Sequence, residues 1–270
     1  MTPKRKLEIE KIAVKTRQKA AVSGDGIVDI FDVCQALGYY SIRYPLGADS
    51  VLGAVIMKND DFIIFSNSSI VLSREIFTVA HEIGHIELLH LNNSLALIDE
   101  HTIGNEENEL EKEANYFAAC FLMPQEKLST FIRINIGKPT SDLSVLDIAN
   151  IQSVFNTSFE TTLNRLETLG LIDTHQKEGI FTQKSDQKVS NLLRAVGGPT
   201  NLCFASEIKS VPVEFLHWVV YNYEKHLIPK ETLLKALEYL DLSMDDVGIS
   251  ECDDEDEGFF DLDEFLGGEN

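Results

Sequence analysis

The sequence predicts an α+β protein. Three observations carry that reading. A helix-period apolar stripe beginning near residue 73 bears two histidines four positions apart. Three short runs rich in alternating apolar residues precede it, at 40–44, 51–57 and 62–66. Beyond residue 109 almost every apolar pattern has the helical period.

Residues 5–21 read as a helix with Leu7, Ile12, Ala13, Thr16 and Ala20 on one side. Residues 29–37 form a short helix that Gly38 is placed to end. In the first strand Tyr40, Ile42 and Tyr44 alternate before Pro45, and the turn Lys58-Asn59-Asp60-Asp61 joins the second and third. The three strands are expected to form a small antiparallel meander. In the helix that follows, Ser73 is placed to cap the start, Glu75 suits the first turn, and Phe77, Ala80, Ile83, Ile86 and Leu89 make the stripe. Residues 91–104 are polar and irregular. Leu110, Ala114, Phe117, Ala118 and Phe121 then repeat with helical spacing until Pro124 stops them.

His81-Glu82-Ile83-Gly84-His85 is the H-E-x-x-H pattern of zinc peptidases. Positions i and i+4 of a helix lie one turn apart on one face, so both imidazoles can reach one ion. Glu82 falls between them, near enough to hold a water without being a ligand. Burying two histidines on an apolar stripe is costly unless their ring nitrogens are satisfied. A catalytic zinc takes three protein ligands and keeps one position open, so a third ligand is required from an element packed on this helix. Among the acids of the next helix, Glu113 stands beside Ala114 and in line with Phe117, and is expected to point inward. Glu106, Glu107, Glu109 and Glu111 are expected to be solvated. A group that stabilises an oxyanion is also needed, and Arg74, His90 and Tyr116 stay open as candidates.

The segment from Phe77 to His85, followed 28 residues after His85 by Glu113-Ala114-Asn115-Tyr116-Phe117-Ala118-Ala119-Cys120-Phe121-Leu122-Met123-Pro124, resembles the ImmA/IrrE family of metallo-endopeptidases. The resemblance covers roughly residues 5–175. It implies a zincin-like peptidase domain, one zinc ion (Zn2+) held by His81, His85 and Glu113, and Glu82 as general base. It also implies limited proteolysis of a helix-turn-helix transcriptional repressor, which relieves repression of stress or mobile-element genes.

Composition places boundaries after residues 137, 178 and 250. The expected parts are a peptidase domain at 1–137, a helix-turn-helix-like unit at 138–178, a mostly helical module at 179–250 and an acidic, disordered tail at 251–270. In the second part, helices at 143–155 and 159–169 flank Asn156-Thr157-Ser158, while 175–187 reads as a linker or hairpin. In the third, Pro212 and Pro229 are each placed to open a helix. The would-be recognition helix carries two acids and one arginine, which suits packing or protein docking better than a DNA groove. The tail places Gly258 and Glu264 as an EF-hand loop would, but Glu255 and Glu257 stand where Asp or Asn belongs, so calcium is not expected.

Lys and Arg number 23 against 44 acids, for a net charge of −21. The last twenty residues hold ten acids and no base, so the first 250 residues still carry −11, from 23 bases against 34 acids. Such a field repels phosphate backbones and anionic membranes, so direct DNA or membrane binding is not expected, and it favours basic protein partners. Cys34, Cys120, Cys203 and Cys252 are scattered and fit free thiols in a reducing cytoplasm. No apolar stretch follows the basic start, which argues against a signal peptide. Two rival readings survive: a transcriptional regulator with a non-catalytic metal site, and a toxin-like metalloenzyme held by a partner.

Overall fold

A computed structural model of the chain describes residues 1–58, 60–91 and 108–249, together with the backbone of 96–99. It is an α+β fold. The first helix, α1 (Pro3–Lys19), starts on a Thr2 cap whose hydroxyl accepts from the Arg5 amide. It buries Ile9, Ala13, Thr16 and Arg17. The second, α2 (Ile30–Leu37), ends where Gly38 takes φ 81°, a conformation that a Cβ disfavours.

Four described strands form one mixed sheet: β1 (Tyr40–Tyr44), β2 (Gly53–Lys58), β3 (Asp61–Asn67) and β4 (Ala96–Asp99), in the order β1-β3-β2-β4. The hairpin of β2 and β3 is antiparallel, with Val55 opposite Ile64. Its turn includes Asn59, which lies outside the described residues. The expected meander is corrected at β1, which pairs in parallel with β3, Ile42 opposite Phe65. Alternation records which face a residue takes but not which neighbour its strand chooses. Residues 45–52 carry the chain past β3, so β2 pairs on the far side of β3 from β1. There it also meets β4 in antiparallel fashion, with Gly53 opposite Asp99. Part of the stretch expected to be irregular is therefore a strand. The remainder, with His101, lies outside the described residues, as do Cys252 and the acidic tail.

Behind the sheet runs α3 (Leu72–Glu87), with Val79, Ala80 and Ile83 wholly buried. Ser73 is not its cap. The helix begins two residues earlier, after Val71 with no side-chain cap, and Ser73 is buried within the first turn. The Leu72 amide instead donates to the Phe204 carbonyl at 2.8 Å. Glu75 is fully buried and takes two hydrogen bonds from the Arg43 guanidinium, at 2.9 and 2.8 Å. Ser66 and Ser206 also donate to it. Removing one partner of a buried pair strands the other charge, so Glu75→Ala is expected to destabilise the fold by about 3–5 kcal/mol. A urea titration followed by circular dichroism reads this. A loss below about 1 kcal/mol would show that water already reaches Arg43 well enough to replace the carboxylate.

The helices α4 (Glu109–Leu122), α5 (Gln125–Phe131), α6 (Val145–Phe155), α7 (Phe159–Thr168), α8 (Thr174–Lys184) and α9 (Val189–Ala195) follow. Ser144 and Asp147 form a capping box on α6, and Asn156 takes φ 53° to turn the chain towards the Ser158 cap of α7. Helix α8 replaces the expected linker. Its sequence buries only Ile180, so it shows little apolar period, and the Asp173 cap marks its start. One apolar core runs from Ile9 through Phe117, Phe121, Ile148, Phe155, Leu163 and Leu193 to Leu202. The boundaries placed at 137 and 178 fall inside it. Residues 204–210 then return to the sheet, where Arg43 and Ser210 exchange backbone hydrogen bonds of 2.8 and 2.9 Å.

Two compact units result, Met1–Pro212 and Val213–Asn270. In the second, α10 (Val213–Glu224) and α11 (Lys230–Glu238) enclose a small core of Leu233, Leu237 and Met244 with Leu216, Val220 and Tyr223. Among the described residues no helix is long and apolar enough to cross a membrane.

Candidate metal centre

The centre is set by how closely α3 and α4 approach. Gly84, inside the His-Glu-x-x-His pattern, is the contact point. A Cβ there would come within 2.9 Å of the Phe117 ring and 3.3 Å of the Ala114 backbone. Only a glycine lets α4 lie this close. Ala114, Phe117, Ala118 and Phe121 line the α4 side of the contact, all fully buried.

His81 and His85 are buried at 0% and 2% exposure, and their Nε2 atoms stand 2.9 Å apart. The third group is Glu111. One carboxylate oxygen lies 3.0 Å from His81 Nε2 and the other 3.5 Å from His85 Nε2. Among the described residues, these three side chains are the group that could hold a metal ion, with ligand atoms all within 4.8 Å of one another.

Glu113, the expected third ligand, is turned elsewhere. It binds the Arg5 guanidinium of α1 through both oxygens and lies 3.3 Å from His90 Nε2. Helix geometry explains the correction. At about 100° per residue, Glu111 lies about 60° around the axis from Ala114, whereas Glu113 lies about 100° away on the other flank. Adjacency in sequence is a poor guide to a shared face. The spacing Glu111–Asn115, one turn apart, was the legible sign, because Asn115 also serves the site.

The ring nitrogens turned away from the cluster settle its tautomers. Asn115 Oδ1 lies 2.9 Å from His81 Nδ1 and can only accept, so that nitrogen carries hydrogen and Nε2 presents a lone pair. His85 Nδ1 lies 3.0 Å from His90 Nδ1. With His90 Nε2–H donating to Glu113, His90 Nδ1 accepts from His85, and the second Nε2 also presents a lone pair. Two lone pairs facing each other at this distance repel unless a cation or proton lies between them. Tetrahedral zinc with bonds of about 2.0–2.1 Å sets its ligands about 3.3–3.4 Å apart, close to the separations found. The donor set therefore fits a metal ion. Without an ion, protons on these two Nε2 atoms would donate to Glu111 and, against burial, hold its carboxyl well below the usual range; an ion at the centre takes the place of those protons. The hydrogen bond from Arg5 holds Glu113 low as well, against burial. Burial first, and then the neighbouring His85, push His90 towards its neutral form.

Glu82 is 1% exposed, beside the ligands on α3. The end of β2 presses on it. A Cβ on Gly53 would lie 3.2 Å from Glu82 Oε1 and only 2.4 Å from Thr78 Cγ2. Of the three candidates for oxyanion stabilisation, none is placed at the cluster. Arg74 is exposed seven residues before His81. His90 orients His85, and Tyr116 donates to Glu10 of α1.

A helix bearing His-Glu-x-x-His, crossed by a helix that supplies a carboxylate and flanked by a small sheet, is the arrangement of a metallopeptidase. Residues 34–167 match the family model of the IrrE N-terminal-like domain, a peptidase family, in agreement with the resemblance to the ImmA/IrrE family. No curated protein matches the chain.

Proposed function

We propose that the protein is a zinc-dependent endopeptidase that makes limited cuts in a helix-turn-helix transcriptional repressor and so relieves repression of stress or mobile-element genes. The observation that carries this reading is the convergence of His81, His85 and Glu111 with Glu82 on the same helix. Bound zinc would supply Lewis acidity, polarising a scissile carbonyl and acidifying a water. His81 and His85 would hold the ion through neutral Nε2, positioned by Asn115 and His90, and Glu111 would offset one unit of its charge. Glu82 takes the proton of the attacking water and passes it to the leaving amine. Its burial keeps bulk water from competing for that proton.

An extended substrate segment can add along β4, the outermost described strand on the side where Gly53 meets Glu82. The basic surface of a DNA-binding repressor suits a chain of net charge −21. Direct DNA binding is disfavoured, since Arg165, the one cation of α7, is 2% exposed and cannot reach the backbone of a duplex.

Co-expression with a helix-turn-helix repressor encoded nearby, followed by intact-mass analysis, tests the proposal. The expected result is one or two cuts in the repressor and little activity on unfolded casein. A repressor that binds tightly and stays whole would replace the peptidase with a sequestering regulator.

A further inference from the structure

Helix α1 precedes the segment that matches the peptidase family, yet one of its side chains is tied to the metal centre. Arg5 grips Glu113 with two hydrogen bonds, Nε to Oε1 at 2.9 Å and Nη2 to Oε2. The same Oε2 lies 3.3 Å from His90 Nε2, and His90 Nδ1 lies 3.0 Å from Nδ1 of His85. These links join a guanidinium on α1 to an imidazole that would hold the ion.

The backbone is shaped to make the middle of this path. Helix α3 stops at Glu87, and Leu89 takes φ 61°, a conformation that its Cβ disfavours. Burial of Leu89 does not offset that strain, since the residue is 73% exposed. The turn brings the His90 amide back to the His85 carbonyl at 2.9 Å and sets the two rings edge to face, with centres 5.0 Å apart.

Glu113 is the link that still has to be fixed. Its side chain is 15% exposed on the flank of α4, where a carboxylate left to itself has several rotamers open to it. A guanidinium fork sets both the position and the plane of a carboxylate. With that plane fixed, Oε2 stays on His90 Nε2, His90 turns its Nδ1 lone pair to His85, and His85 turns its own Nε2 lone pair to the ion. Folding stability is a poorer account of the pair. The Arg5 side chain is 32% exposed, pairs so exposed contribute little, and Ile9 and Ala13 already anchor α1 in the core. Charge alone has the wrong sign, because a cation near the centre repels a metal ion.

We propose that Arg5 is a positioning residue of the metal centre, acting through Glu113 and His90 to orient His85. The proposal rests on the reading of His81, His85 and Glu111 as metal ligands.

Two measurements on the full chain test it: zinc affinity by competition with a chromogenic chelator, and the visible absorption of the cobalt(II)-loaded protein. Arg5→Gln is expected to weaken zinc binding about tenfold and to change the cobalt spectrum. Arg5→Lys, which keeps the charge but loses the fork, is expected to fall between Arg5→Gln and wild type. In a Glu113→Ala background, Arg5→Gln is expected to add no further loss. Glu10→Ala removes the hydrogen bond from Tyr116, a second polar link between α1 and α4 that does not lead to the ligands, and is expected to leave affinity unchanged. Zinc binding by Arg5→Gln as tight as wild type, or tighter as charge alone requires, would overturn the proposal. So would an equal loss in Glu10→Ala, which would reduce the effect to a loosened α1, or a further loss in the Glu113→Ala background. If Arg5→Gln does not fold, Arg5→Lys decides by the same comparisons. A wild-type chain that binds no zinc fails the metal reading itself, and this inference with it.

Discussion

Glu111→Ala is expected to empty the metal centre, and Glu113→Ala is not. Without Glu111 only His81 and His85 remain, one ligand short of the three that catalytic zinc takes. Without Glu113, His90 loses its acceptor and Arg5 its carboxylate, so His85 is held less firmly while all three ligands stay in place. Changes at such supporting groups cost about 10–100-fold in affinity. Zinc content after dialysis against a graded chelator separates the two. Wild type should hold about one ion per chain. Full occupancy in Glu111→Ala together with an empty Glu113→Ala would reinstate Glu113 as the ligand.

Glu82→Gln is expected to keep the metal and lose the activity. The amide matches the carboxylate in shape, and Glu82 is not among the converging ligand atoms, so occupancy should not change. It cannot accept a proton, and removing a positioned general base typically lowers the rate by about 10²–10⁴-fold. Repressor cleavage measured at matched zinc content is the readout. Cleavage at the wild-type rate by a metal-loaded Glu82→Gln protein would place the base on another residue. Cleavage by metal-free protein would point to a contaminating protease.

Local patterns determined a good deal of this molecule. The spacing of His81 and His85 required a shared helix face, because the helical period acts within one turn whatever surrounds it. Glu82 came with them. The α+β class, the three strands ahead of α3, the stop at Pro124 and the helices opened by Pro212 and Pro229 were legible for the same reason: each rests on an alternation or a turn chemistry confined to a few residues. Helix α8 was not legible, since a helix that buries one isoleucine leaves almost no periodic trace.

Tertiary packing decided the rest. Which acid completes the metal cluster depends on the angle at which α4 faces α3, and that is set where Gly84 admits Ala114 and Phe117, 30 or more residues away in sequence. The same contact turns Asn115 to His81 and leaves Glu113 to Arg5, a residue more than a hundred positions distant. The parallel placing of β1 against β3 and the burial of Arg43 with Glu75 also come from packing, because alternation and charge patterns are blind to neighbours. Arg165 shows the limit most plainly. In the chain it is an ordinary helical arginine, and only the packing of α7 against the end of α4 buries it and turns its Nε to the Met123 carbonyl.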